Sequence, residues 1–201
     1  MVMATDMDIR AAMAIITKHN TMQVSTTPIE GLLVIQPAIF SDARGYFYEP
    51  YNKKKFAEIG LREDFVQDNQ SCSQKGVLRG LHFQNPPHAQ GKLLRVIQGS
   101  ILDVAVDIRK SSPTFGQYFG IELSAANKTI FYVPKGFAHG FLTLEDNTIL
   151  FYKCTDFYDK ASEDSLIWND PEVAIPWNVA DPILSEKDQV AKKLKDLNSQ
   201  F

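Results

Sequence analysis

Cysteine is scarce in this chain: 201 residues hold two, Cys72 and Cys154, far apart and without metal-ligand spacing. That excludes a disulfide framework or a zinc site and fits free thiols in a reducing compartment. An excess of one charge is also missing, because 21 basic residues stand against 24 acidic ones, a net charge of -3. Nucleic acid is therefore not an obvious partner, although a local basic cluster can still hold a small anion. Long apolar runs are absent as well. The patch from Ala11 to Ile16 follows Asp6 and Asp8 and is too short and wrongly flanked for a membrane span or a secretory signal, so a soluble cytoplasmic protein is expected. There is no internal repeat, and there are only four histidines.

The residues that are present suit one globular domain, with 44% hydrophobic and 22% charged residues. Residues 1–21 read as a weakly helical leader, and 22–201 as a single domain. Short strands separated by turns are expected at Gly31 to Pro37, Gly45 to Pro50, Phe65 to Ser73, Val77 to Gln84, Lys92 to Ile97 and Ser100 to Ile108. Further strands are expected at Gly116 to Leu123, Lys128 to Val133, His139 to Leu144 and Thr148 to Thr155. A helix is expected from Lys53 to Ile59, stopped by Gly60. A second should begin near Ser185, where Ser-x-x-Asp188 resembles a capping box, and continue through Leu197. Many closely spaced strands without alternating helices predict an all-β jelly-roll barrel or sandwich, with short flanking helices and a cavity at its mouth.

The chemistry concentrates between Val77 and Leu94, where Arg79, His82, Gln84 and Lys92 interrupt apolar sequence. Period-two alternation puts His82 and Gln84 on one strand face. A lone strand histidine is usually a hydrogen-bonded core residue. A histidine, an arginine and a lysine in an interior segment are costly to bury unless function keeps them there. In the strand Ile101 to Ile108, alternation sets Asp103 and Asp107 on the face opposite Leu102, Val104, Val106 and Ile108. An outward aspartate face would merely be solvated. Asp103, beside the turn, is the better placed to meet a basic cavity residue but stays outside the expected site.

Two patterns resemble the cupin jelly rolls: Gly76-x5-His82-x-Gln84 with Gly99 downstream, and Val133-Pro-Lys-Gly-Phe-Ala-His139-Gly-Phe141. Metal-binding cupins use two histidines and a carboxylate from the first motif and a histidine from the second. Here Gln84 replaces the second histidine and Lys92 stands where the carboxylate is expected. A fixed ammonium repels a divalent cation and an amide is a poor substitute for imidazole, so no metal is expected. His139 either caps the turn after Gly136 or faces the same cavity as His82.

Taken together, the segments resemble the dTDP-4-dehydrorhamnose 3,5-epimerase family. They are Asp42-Ala-Arg-Gly-Tyr-Phe-Tyr-Glu49, Phe65 to Asn69, Val77 to Gln84, Gln90 to Leu93, Asp103 to Arg109, Ser112 to Gly116, Pro134 to Phe141, Tyr152 to Tyr158, Trp168 to Asp170 and Leu184 to Asp188. The resemblance implies a cofactor-independent isomerase that inverts two carbons flanking the ketone of a dTDP-4-keto-6-deoxyhexose. A proton beside a carbonyl can be removed when a base is near and the enolate oxygen is stabilised.

By that resemblance His82 is the base, oriented by Asp188; Tyr152 is the acid on the opposite side; and Lys92, with Arg79, stabilises the enolate. Gln67, Asp68, Asn69, Tyr158, Glu163 and Lys187 match nucleotide contacts, Tyr158 by stacking on thymine, while His139 and Arg79 line the sugar and phosphate path. Arg44 and Glu49 match groups that hold the nucleotide partly from a neighbouring subunit, which implies a homodimer. The leader has no counterpart, Phe157 stands where relatives often carry tyrosine, and the His88 loop varies. Three competing readings are an epimerase acting on one carbon only, a metal-dependent cupin oxygenase and a non-catalytic sugar-nucleotide-binding cupin.

Overall fold

The computed structural model describes residues 21–201; the expected leader falls almost wholly outside them. Thirteen strands are described: β1 (Gln23–Thr26), β2 (Leu33–Gln36), β3 (Phe40–Asp42), β4 (Gly45–Phe47), β5 (Gln67–Ser73), β6 (Leu78–Gln84), β7 (Lys92–Gln98), β8 (Ser100–Asp107), β9 (Tyr118–Ser124), β10 (Ile130–Val133), β11 (Phe137–Thr143), β12 (Thr148–Cys154) and β13 (Glu163–Ser165). One sheet runs β1-β2-β10-β7-β12-β5, a second β13-β6-β11-β8-β9, and β3 and β4 form a separate hairpin. From β5 to β13 the chain passes repeatedly from one sheet to the other, so each sheet is assembled from strands distant in sequence. This is the jelly roll expected from the sequence, with all ten expected strands present and β1, β3 and β13 added.

Side-chain alternation builds an interior and two outer layers. Leu94, Val96, Phe131, Val133 and Leu150 from the first sheet meet Ile101, Ala105, Leu123, Phe137 and Phe141 from the second. Outside the second sheet, Leu81, Phe83, Val104, Val106 and Leu142 pack beneath the C-terminal segment with Trp177, Leu194 and Leu197. The Trp177 indole N–H donates to the Trp168 carbonyl at 2.7 Å, which removes the cost of burying it. Outside the first sheet, Leu93, Ile130 and Tyr132 pack against Phe56 of α1 (Lys53–Glu58), whose first turn is capped by the Asn52 side chain.

Two backbone features place the site. At Gly99 the chain turns the corner from β7 in one sheet to β8 in the other. A Cβ there would lie 2.2 Å from the Thr148 Oγ1, so only glycine fits. At Gly80 (φ 118°) an added Cβ would lie 2.5 Å from the Gly140 Cα. This close approach accompanies a register shift: three steps on β6, from Arg79 to His82, oppose two on β11, from His139 to Phe141. The extra residue puts Leu78, Leu81 and Phe83 on the outer face and leaves Arg79, His82 and Gln84 on the inner one.

The expected long C-terminal helix is corrected. Only α2 (Glu186–Gln189) is α-helical, followed by a 3₁₀ turn at Leu194–Asp196. Lys192 exchanges backbone hydrogen bonds with Ser165 and Ile167, and the Leu194 N–H donates to Asp170. Those partners, together with the burial of Leu194 and Leu197 on the outer sheet face, outweigh the helical propensity of the segment.

Candidate active site

His82 and Asp188 are 106 residues apart in sequence, yet the His82 Nε2 lies 2.6 Å from the Asp188 Oδ1. Asp188 arrives there because its segment is stitched to the start of β6, with Leu78 N–H donating to Ile183 and Ile183 N–H to Gly76. Asp188 is 2% exposed. Burial alone would raise its carboxyl pKa, but the His82 contact and the Ser185 hydroxyl outweigh that and hold it below the usual range. An ionised Asp188 takes the Nε2 proton as its hydrogen-bond donor, which leaves the Nδ1 lone pair of His82 available as a base. The His82 side chain keeps 30% of its surface accessible.

Lys92, on β7 of the facing sheet, reaches across to donate to the His82 carbonyl at 3.3 Å. Burial pushes its pKa down, opposed by Cys154, Asp103 and Glu163. Tyr152, on β12 beside β7, shares the inward face with Lys92 and packs against the interior core. Burial pushes its phenol up to about 12, with Arg79 opposing, so it is protonated at neutral pH. The imidazole thus comes from one sheet, and the phenol and ammonium from the other.

A second histidine–aspartate pair lies beside the first. His139 is directly opposite His82 in the β6–β11 ladder, and its Nε2 is 2.9 and 3.0 Å from the two oxygens of Asp103. Burial lowers the His139 pKa against the pull of Asp103, so the ring is neutral and donates to that carboxylate. Both aspartates of β8 point inward and neither is solvated. Asp107 is held by Arg109, Ser112 and Thr114.

The remaining expected residues fall into three groups. Gln67 and Asn69 face inward on β5; the Gln67 Nε2 donates to the Asn69 Oδ1 at 3.2 Å and its Oε1 accepts the Tyr158 N–H at 2.9 Å. Asn69 is the direct register partner of Tyr152. Tyr158 donates to Glu163, which is also paired with Lys187 of α2, and Arg79 donates to Ser73. Asp68 alternates to the outer face of the sheet, where it pairs with Lys153 at 2.8 Å. Arg44 and Glu49 lie at and just beyond the β3–β4 hairpin; Arg44 has a 90% exposed side chain paired with Asp42, and Glu49 is paired with Lys55. Neither Arg44, Glu49 nor Asp68 joins the His82 cluster within one chain.

Two residues beside the cluster were named from the sequence but left outside the expected site. Asp103 was the aspartate better placed to meet a basic cavity residue, but which residue that is depends on the β8–β11 register. Gln84 is a loop clamp: it donates to the His88 and Phe157 carbonyls and accepts the Asp159 N–H. Among the described residues, no three His, Cys, Asp or Glu side chains converge as a metal site.

A jelly roll that carries a histidine–carboxylate pair on one side and a tyrosine and a lysine on the inward face of the opposite sheet is a cupin-type barrel with groups suited to exchanging protons. The family described as dTDP-4-dehydrorhamnose 3,5-epimerase matches residues 26–196. A Shigella flexneri protein of that name is 50% identical over 176 residues, covering 87% of this chain and 97% of its own. The crystal structure of the Elizabethkingia anophelis dTDP-4-dehydrorhamnose 3,5-epimerase is 52% identical, with a TM-score of 0.85 and coverage of 90% and 100%. That of the Legionella pneumophila Philadelphia 1 dTDP-6-deoxy-D-glucose-3,5-epimerase, in complex with dTDP-4-keto-L-rhamnose, is 49% identical, with a TM-score of 0.84 and coverage of 88% and 95%. The chain belongs to the dTDP-4-dehydrorhamnose 3,5-epimerase family, a family of isomerases.

Proposed function

We propose that this enzyme inverts carbons 3 and 5 of dTDP-4-dehydro-6-deoxy-D-glucose to give dTDP-4-dehydro-L-rhamnose, through enolates and without a cofactor. The observation that carries the reading is the 2.6 Å His82–Asp188 contact, set across the barrel from Tyr152. The His82 Nδ1 takes the proton beside the ketone, and Asp188 stabilises the imidazolium that forms. Lys92, with Arg79 at the rim, balances charge on the enolate oxygen. Tyr152, protonated and on the facing sheet, returns a proton to the opposite side of the ring. Proton transfer by a placed group contributes about 10²- to 10⁴-fold, and one donor to a developing oxyanion about 3 to 4 kcal/mol.

His139 lines the sugar and phosphate path in this reading. Gln67, Asn69, Tyr158, Glu163 and Lys187 hold the nucleotide, with Tyr158 stacked on the base. Arg44 and Glu49 act on a partner subunit's nucleotide in a symmetric homodimer, and Asp68 supports the nucleotide strand through Lys153. The hairpin's Phe40, Tyr46 and Phe47 are 51%, 61% and 65% exposed, an apolar surface suited to burial against a second copy. The free thiols of Cys72 and Cys154 suit a cytoplasmic enzyme.

The test is incubation with the dTDP-4-keto sugar in deuterated water. Label at both carbon 3 and carbon 5, with inverted product, is expected. Label at one carbon would replace this reading with a single-site epimerase, and tight dTDP binding without any label would end it. Light scattering of the enzyme in solution checks the dimer.

A further inference from the structure

We infer that Ser185 is a positioning residue for the proton transfer, acting through Asp188; the inference rests on the epimerase reading above. The Ser185 hydroxyl donates to the Asp188 Oδ2 at 2.8 Å and accepts the Asp188 backbone N–H at 3.2 Å. The other carboxylate oxygen, Oδ1, is the one that meets His82. Ser185, Asp188 and His82 therefore form one hydrogen-bonded chain in which each oxygen of a buried carboxylate has a single side-chain partner.

In an ordinary capping box the acidic side chain three residues into the helix turns back to the N-cap backbone N–H. Here that carboxylate is turned toward His82 and the serine hydroxyl. The cap has been joined to the base. Two consequences follow from the geometry. A carboxylate held at both oxygens cannot swing about its terminal torsion, so Oδ1 stays on the His82 Nε2 and the ring keeps the tautomer with Nδ1 free. The hydroxyl also favours the ionised carboxylate. The serine itself sits two residues beyond Ile183, whose backbone is bonded to both sides of the β6 start, so its position is fixed by the sheet rather than by the short helix.

Capping and positioning separate cleanly by substitution. Threonine and glycine are comparable N-caps, but only threonine keeps the hydroxyl. Ser185→Gly is expected to lower kcat on the order of tenfold, because misplacing a catalytic group by a fraction of an ångström costs rate steeply. Its KM and its affinity for dTDP should stay within about twofold of the wild type, since Ser185 is not among the proposed ligand contacts. Ser185→Thr should restore kcat to within about twofold. Glycine and threonine variants with equal kcat would overturn the proposal, as would a parallel loss of kcat and dTDP affinity in both. Absence of deuterium exchange in the wild type would overturn the epimerase reading itself, and the role of Ser185 with it.

Discussion

The two histidine–aspartate pairs are neighbours on one ladder and contain the same groups, but they are built differently. His139 keeps 7% of its side-chain surface and shares one nitrogen between both oxygens of a fully buried Asp103. His82 keeps 30% and engages a single oxygen of Asp188, whose other oxygen is taken by Ser185. Under the proposed mechanism the difference teaches what a base requires beyond a carboxylate partner: exposed ring surface, and a carboxylate fixed from behind. His139 is thus the more enclosed ring and His82 the more exposed one, in keeping with the roles proposed for them.

The strongest test of that contrast is His82→Ala. Deuterium exchange should fall by at least ~10³-fold, near the upper range for a placed proton-transfer group, with dTDP affinity measured by calorimetry nearly intact. Equal loss of both would make His82 structural. His139→Leu should do the reverse. It strands the buried Asp103, costing about 3 kcal/mol or more in urea unfolding, while residual exchange persists in the folded fraction.

Tyr152→Phe sharpens the division between base and acid. Inverted product should fall by about 10²-fold, within the range for general acid catalysis, while label still enters from the His82 side with configuration retained. Loss of label uptake as well would place the phenol in the deprotonation step.

The smallest expected effect concerns Asp107, on the same strand and face as Asp103. Burial would raise its carboxyl pKa, but the Arg109 fork and the Ser112 and Thr114 hydroxyls outweigh that and hold it at about 2, against 3.8 for the free group. A depressed native pKa stabilises the fold above the unfolded value, and that stabilisation is lost as pH falls from about 4 through about 2. The lowering corresponds to about 2 kcal/mol. Asp107→Asn should lose that amount at neutral pH and flatten the acid unfolding curve over the same interval, followed by circular dichroism.

Much of the fold is legible in the sequence. Turn residues bounding short alternating runs located the ten expected strands, because the period of a strand and the need of a turn for glycine are local properties. Gln84 and Lys92, standing where the cupin motifs carry metal ligands, led to the expectation of a metal-free site through residue type alone. The family was recognisable because the matching segments keep its order and spacing.

Other features depended on neighbours in space. The bulge at Gly80, which brings Arg79 and His82 onto one face, exists because β6 must pass Gly140 of β11 at close range. The C-terminal segment reads as helix, yet its backbone groups are claimed by Ser165, Ile167 and Asp170. The pairing of Asp188 with His82 follows from the sequence only through the family resemblance, and what brings the two together is Ile183 stitched to β6. Asp103, the better placed of its strand's two aspartates to meet a basic cavity residue, finds that partner in His139 through the β8–β11 register. The sequence by itself determined the periodicity of the strands and the kinds of chemical groups available, since both are written in local order. Only the tertiary structure decided which carboxylate meets which imidazole, because strand register and sheet crossing join residues as far apart as His82 and Asp188, and no local rule spans that separation.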